Sequence, residues 1–120
     1  SSDALDTDAA VRLCDVYPDG RSMLIADGIL RLGHRDSITQ REELAPGQVY
    51  AVEVDLWSTS IIFNAGHCVR ISICGSNHPR WDLNPGTGKV WSDGCRYTVQ
   101  HNIIHCGTEY PSALLLPVVE

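Results

Sequence analysis

Hydrophobic and polar positions alternate through several short stretches of this chain, and little of it carries the 3.6-residue period of an amphipathic helix. In AVRLCDVY, Val11 and Leu13 alternate with Arg12, and a second extended run, SMLIADGILRLGHR, follows after Pro18-Asp19-Gly20. Two such runs across a turn predict a β-hairpin. Pro18 fixes its own φ and favours an extended Tyr17, Asp19 can bond to the local backbone, and Gly20 suits the left-handed position. CDVYPDGR is therefore read as a turn, with Asp15 and Arg21 expected to pair across its base for about 0 to 1 kcal/mol. Further on, Tyr50, Val52, Val54 and Leu56 alternate with Ala51, Glu53, Asp55 and Trp57, which predicts a half-buried strand. Val69, Ile71 and Ile73 do the same against Cys68, Arg70, Ser72 and Cys74, while CRYTVQHNIIHC and SALLLPVVE read as closing strands. DSITQREELAPGQ is polar, with room for a short helical turn, and SNHPRWDLNPGTGKVWSDG is a long loop. Several short strands between Pro/Gly turns predict one all-β domain over residues 1–120, an antiparallel β-sandwich or jelly roll.

Composition narrows the partners. The balance of 15 acidic against 9 basic residues gives a net charge of -6, which disfavours nucleic acid. No apolar run approaches the roughly 20 residues of a membrane helix, and the start, SSDALDTDAA, lacks the features of a secretory signal. The five cysteines, Cys14, Cys68, Cys74, Cys95 and Cys106, are odd in number and contain no C-x-x-C pair. They are read as mostly buried small hydrophobes in a reducing compartment, which favours the cytoplasm.

Catalytic signatures are missing: there is no G-x-S-x-G elbow, Walker loop, H-E-x-x-H or dinucleotide fingerprint. No catalytic residue and no cofactor are expected. His101 and His105 have the spacing of a helical metal pair, but on a strand they would stand about 13 Å apart. Asp3, Asp6 and Asp8 are the best cation candidate, since Ca²⁺ takes clustered carboxylates, although Asp and Thr ahead of a strand are also ordinary turn chemistry. Ser76, and Cys68 beside His67, have no identifiable base with an orienting partner. The long loop remains: Asn77, Arg80, Trp81, Asp82 and Trp91 could offer an aromatic and polar surface to a sugar or a partner protein. The alternative is that Trp81 and Trp91 fold back to cover one end of the sandwich.

The blocks DTDAAVRLCDVYPDGRSMLIADGILRLGHRDS, PGQVYAVEVDLW, GHCVRISICGSNHPRWDLNPGTG and YPSALLLPV together resemble the C-terminal domain of the cocaine-esterase/NonD-type serine hydrolases. That family is similar to the α-amino acid ester hydrolases and X-Pro dipeptidyl-peptidases, and the resemblance runs in order from Asp6 to Val118. It implies a jelly-roll, galactose-binding-like domain joined to an α/β-hydrolase domain that carries the Ser-His-Asp triad. Only the first of these two parts is matched, so the family's catalytic residues have no positions here. The expected function is that of a non-catalytic accessory domain packing on a hydrolase domain in cis or in trans. A stand-alone carbohydrate- or protein-binding module using the Trp81/Trp91 loop is the alternative. The family domain ordinarily begins with leading strands that this chain lacks, so an open strand edge and self-association through it are also expected.

Overall fold

The computed structural model describes residues 1–89 and 96–119. Its regular structure is β1 (Asp8–Val16), β2 (Ser22–Arg31), a 3-10 turn over Leu32–His34, and β3 (Cys68–Cys74). The three strands form one antiparallel sheet in the order β2-β1-β3. The protein is therefore all-β, as the alternation predicts.

The hairpin forms at the expected place. Gly20 adopts φ +89°, its N–H donates to the Tyr17 carbonyl at 2.9 Å, and Tyr17 N–H donates to the Arg21 carbonyl at 2.8 Å. From Val16↔Ser22 the register runs unbroken to Cys14↔Leu24 and then slips, so that Leu13 faces Ala26 and Asp8 faces Arg31. Without that bulge Asp8 would oppose Leu30. The extra residue, Ile25, thus decides which side chain meets the carboxylate at the far end of the hairpin.

β1 is the central strand and the only one well covered on both faces; Leu13 is fully buried, with Ala10, Val11 and Cys14 buried around it. Leu32 and Leu44 extend this small core, tied in by backbone bonds from Leu32 N–H to Thr7 O and from Leu44 N–H to Leu5 O. β2 and β3 are only partly buried.

Residues 50–57 differ from expectation. They form no ladder. The segment crosses close to β2 at Gly28, where a Cβ would run into the Asp55 carbonyl. Trp57 N–H then bonds the Asp55 side chain at 2.7 Å and Trp57 takes φ +65°, a local arrangement that competes with strand pairing. The closing strands are likewise unformed among the described residues, because 101–103 pair with the first residues of the chain. Ser2 bridges Asn102, Ile103 N–H donates to Ser1 O at 2.9 Å, and Asp3 N–H to His101 O at 3.3 Å. A broad concavity consequently lies against the sheet, lined by Val11, Leu13, Ile71 and Ile73 and flanked by residues 49–63 and 97–119. The chain's radius of gyration, 16.0 Å, exceeds the roughly 13 to 14 Å of a compact chain this long.

The cysteines correct one reading. Cys14 is buried and Cys74 half-buried, but Cys68 and Cys106 are exposed. Cys68 opens β3 just after the Gly66 turn, where nothing packs over it; Cys95 lies outside the described residues.

Candidate functional site

The open end of the hairpin is built on buried charge. Asp8, 1% exposed at its side chain, receives hydrogen bonds from Arg31 Nε and Nη2 at 2.9 and 3.1 Å and from Asn84 Nδ2 at 2.8 Å. The bidentate bonds to Asp8 are the main reason the Arg31 guanidinium is held above its ordinary pKa, opposed by burial and helped by the nearby charges of Asp6 and Asp82. Asn84 fixes the long loop to this pair. Its Oδ1 accepts from Gly86 N–H at 2.9 Å, and its carbonyl accepts from Gln100 Nε2 at 2.9 Å. A side chain on Gly86 would stand 2.6 Å from Gln100 Nε2, so glycine is required there on both space and its φ of +73°.

The loop is tied to β2 as well. Arg80 donates from Nε and Nη2 to Asp27 at 2.8 and 3.2 Å, and its guanidinium carbon lies 4.9 Å from the centre of the Trp81 ring. Asn77 acts through its backbone, its carbonyl accepting from Arg80 N–H at 3.0 Å and Trp81 N–H at 3.3 Å. Between loop and hairpin is a cleft of about 290 Å³ lined by Asp8, Ile29, Arg31, Trp81 and Asp82. Of the loop residues singled out in the sequence, Trp81 and Asp82 come together there. Arg80 is engaged by Asp27, Asn77 closes the turn, and Trp91 lies outside the described residues. Ile29, Arg31 and Asp8 were not legible as partners, since their approach depends on the bulge.

The three amino-terminal carboxylates go to separate partners. Asp3 is exposed and accepts from His101 N–H at 2.8 Å, with the His101 ring at 2.7 Å; the backbone bond first and the ring bond second hold its carboxyl below the ordinary range. Asp6 is buried, accepting from Gly33 N–H at 2.8 Å and Thr7 N–H at 2.9 Å, with Arg41 Nε at 3.6 Å. Asp8 belongs to Arg31 and Asn84. No group of three or more His, Cys, Asp or Glu converges as a metal site among the described residues. His105 bonds Ser1 Oγ at 3.1 Å, away from the Asp3–His101 pair.

At the other end of β1 the expected Asp15–Arg21 pair does not form. Arg21 bonds Asp19 at 2.7 Å and lies over the Tyr17 ring at 4.6 Å, while buried Asp15 takes His67, whose Nδ1 is 2.9 Å from both carboxylate oxygens. Strand order explains the exchange: β3 lies beside β1 and brings His67, one residue before its start, over the Tyr17 ring at 4.2 Å. An oriented Asp–His pair resembles half of a catalytic triad, but no Ser, Thr or Cys side chain bonds His67 among the described residues. It clamps β1 to the Gly66 turn.

These features define an antiparallel β module with an ordered loop and no assembled catalytic constellation among the described residues. The family model of the X-Pro dipeptidyl-peptidase C-terminal non-catalytic domain matches residues 1–115, and the chain belongs to that family. It is 36% identical over 125 aligned residues to the cocaine esterase of Rhodococcus sp. (strain MB1 Bresler), covering 100% of this chain and 21% of that protein. It is 29% identical to a putative serine esterase, Mb1866c, of Mycobacterium bovis and to another, MT1883, of Mycobacterium tuberculosis, covering 92% of this chain and 18% of each. The chain thus spans about a fifth of the length of these relatives. No helix among the described residues is long and apolar enough to cross a membrane.

Proposed function

We propose that this chain serves as an accessory domain that packs on a serine-hydrolase domain of the α/β type and stabilises it. The observation that carries the reading is the match of residues 1–115 to a non-catalytic domain found within relatives about five times longer. The surface offers physical support. Trp57 is 82% exposed and Ile62 79% exposed in one loop, beside Ile61, and a large aromatic with two branched aliphatics is the kind of anchor that domain interfaces bury. In this reading the occupant of the surface is the hydrolase domain; the chain covers 21% of the cocaine esterase, which leaves length enough for one.

The test is to produce the catalytic domain with and without this chain and to follow the thermal loss of its ester hydrolysis. The reading expects the chain to raise the inactivation midpoint and Trp57→Ala to remove most of that gain. Identical midpoints in the presence and absence of the chain contradict it.

A further inference from the structure

The cleft at the open end of the hairpin has features that neither the fold nor docking on a catalytic domain requires. Its volume, about 290 Å³, falls just below the roughly 300 to 1,000 Å³ of small-molecule sites, and it is shallow and open, so it can cradle one face of a single ring. Ile29 and the Trp81 indole supply apolar wall. Arg31 and Asp82 supply polar groups that internal bonding does not use up. Arg31 commits Nε and Nη2 to Asp8, leaving Nη1 without a hydrogen bond among the described residues, and Asp82 is exposed with no ion pair of its own there. A guanidinium and a carboxylate thus line one cleft without bonding each other.

Charge selects the ligand class. Asp8 already neutralises Arg31, so an anion gains little, and one exposed carboxylate is too few for a hard cation. A neutral hydroxylated ring fits both needs: its hydroxyls can donate to Asp82 and accept from Arg31 Nη1, and its C–H surface can pack on indole. One wall is fixed in advance, since buried Asp8 holds Arg31; the other is braced more lightly, through the largely exposed Arg80, which bonds Asp27 and lies against Trp81.

We infer that this cleft binds a neutral sugar ring, with Trp81 as the apolar platform and Asp82 and Arg31 as the hydrogen-bonding pair. The site is separate from the exposed Trp57 loop, so it stands or falls independently of docking on a hydrolase. Saturation-transfer NMR of the full chain with D-glucose and D-galactose tests it. Transfer to at least one sugar is expected, with a dissociation constant on the order of 1 to 10 mM. Asp82→Asn, which keeps the size of an exposed side chain, should weaken binding at least about fivefold, as should Trp81→Ala, while Trp57→Ala leaves it unchanged. If Trp81→Ala fails to fold by circular dichroism, Asp82→Asn decides alone. Absence of transfer to both sugars at about 50 mM, transfer that Asp82→Asn does not weaken, or transfer abolished by Trp57→Ala would overturn the proposal.

Discussion

Residues 8–31 and residues 49–63 are both rich in alternating apolar positions, yet they reach different ends. The first segment folds back on itself within a few residues, so β1 pairs with β2 from Asp8 to Val16 and with β3 from Ala10 to Val16. The apolar residues of β1 are largely buried on both faces and the end of the hairpin is locked by Asp8–Arg31. The second segment leads through a short turn, closed by His67 N–H on the Asn64 carbonyl at 3.0 Å, directly into β3, yet forms no ladder with it. It lies against β2 at Gly28, turns at Trp57, and leaves Trp57 and Ile62 in solvent. Alternation prepares a segment for a sheet, but a short turn to a neighbouring strand does not ensure a ladder where local bonds, such as Trp57 N–H to the Asp55 side chain, hold the backbone otherwise. A segment left prepared and unpartnered is available to another domain.

The largest effect should come from the core of the first region. Leu13→Ala removes a fully buried side chain between both neighbouring strands and is expected to destabilise the chain by about 2 to 5 kcal/mol in urea unfolding. Leu115, 85% exposed near the end of the chain, should change by less than about 0.5 kcal/mol on the same substitution. Equal losses at the two positions would erase the contrast.

Asp8→Ala comes next, at about 3 kcal/mol, the low end for breaking a buried pair because Arg31 remains a third exposed and can take up water. Thermal denaturation with Asp8→Ala and Arg31→Met should show that the double change is milder than the sum of the single ones.

Gly28→Ala probes the boundary between the regions. The new methyl group collides with the Asp55 carbonyl, so the 50–57 segment must move away, at about 1 to 3 kcal/mol. Chemical shifts of 53–57 should move most, with those of β1 changing only near Val11, which Gly28 faces, and those of β3 staying; shifts spread through β1 and β3 but not 53–57 would mean that the two regions are packed as one.

The smallest effect is at the amino-terminal pairing. His101 depresses the Asp3 carboxyl below its ordinary value of 3.8. A depressed carboxyl contributes stability that is present above its unfolded pKa and is lost as pH falls through the folded one, so the window lies below about pH 4. Asp3→Asn should flatten the pH dependence of the melting temperature there at low salt, and should leave the slope at neutral pH untouched.

How much of this was readable in advance follows the same local logic. The hairpin could be predicted because Pro18, Asp19 and Gly20 specify a reversal by themselves, and β3 because its apolar face is regular. The bulge at Leu13/Cys14 has no local signal, and with it went the pairing of Asp8 with Arg31. His67 reaches Asp15 across 52 positions, a contact that depends on strand order, so the nearer Arg21 looked like the natural partner. Trp81 and Asp82 stood out as polar and aromatic residues in an overlong loop. Their neighbours on the hairpin did not, since a charged residue at a strand end ordinarily faces water.

The central claim, that this is an accessory domain whose unpartnered segment docks on a catalytic domain, is tested most directly by amide hydrogen exchange of residues 49–63. The measurement compares the isolated chain with the chain in the presence of its catalytic domain. In isolation these amides should exchange quickly, because few of them are bonded, while β1 is protected. In the presence of the catalytic domain, protection should rise around Trp57 and Ile62 and stay unchanged in β1. Exchange in 49–63 that is equally fast in both states would contradict the account.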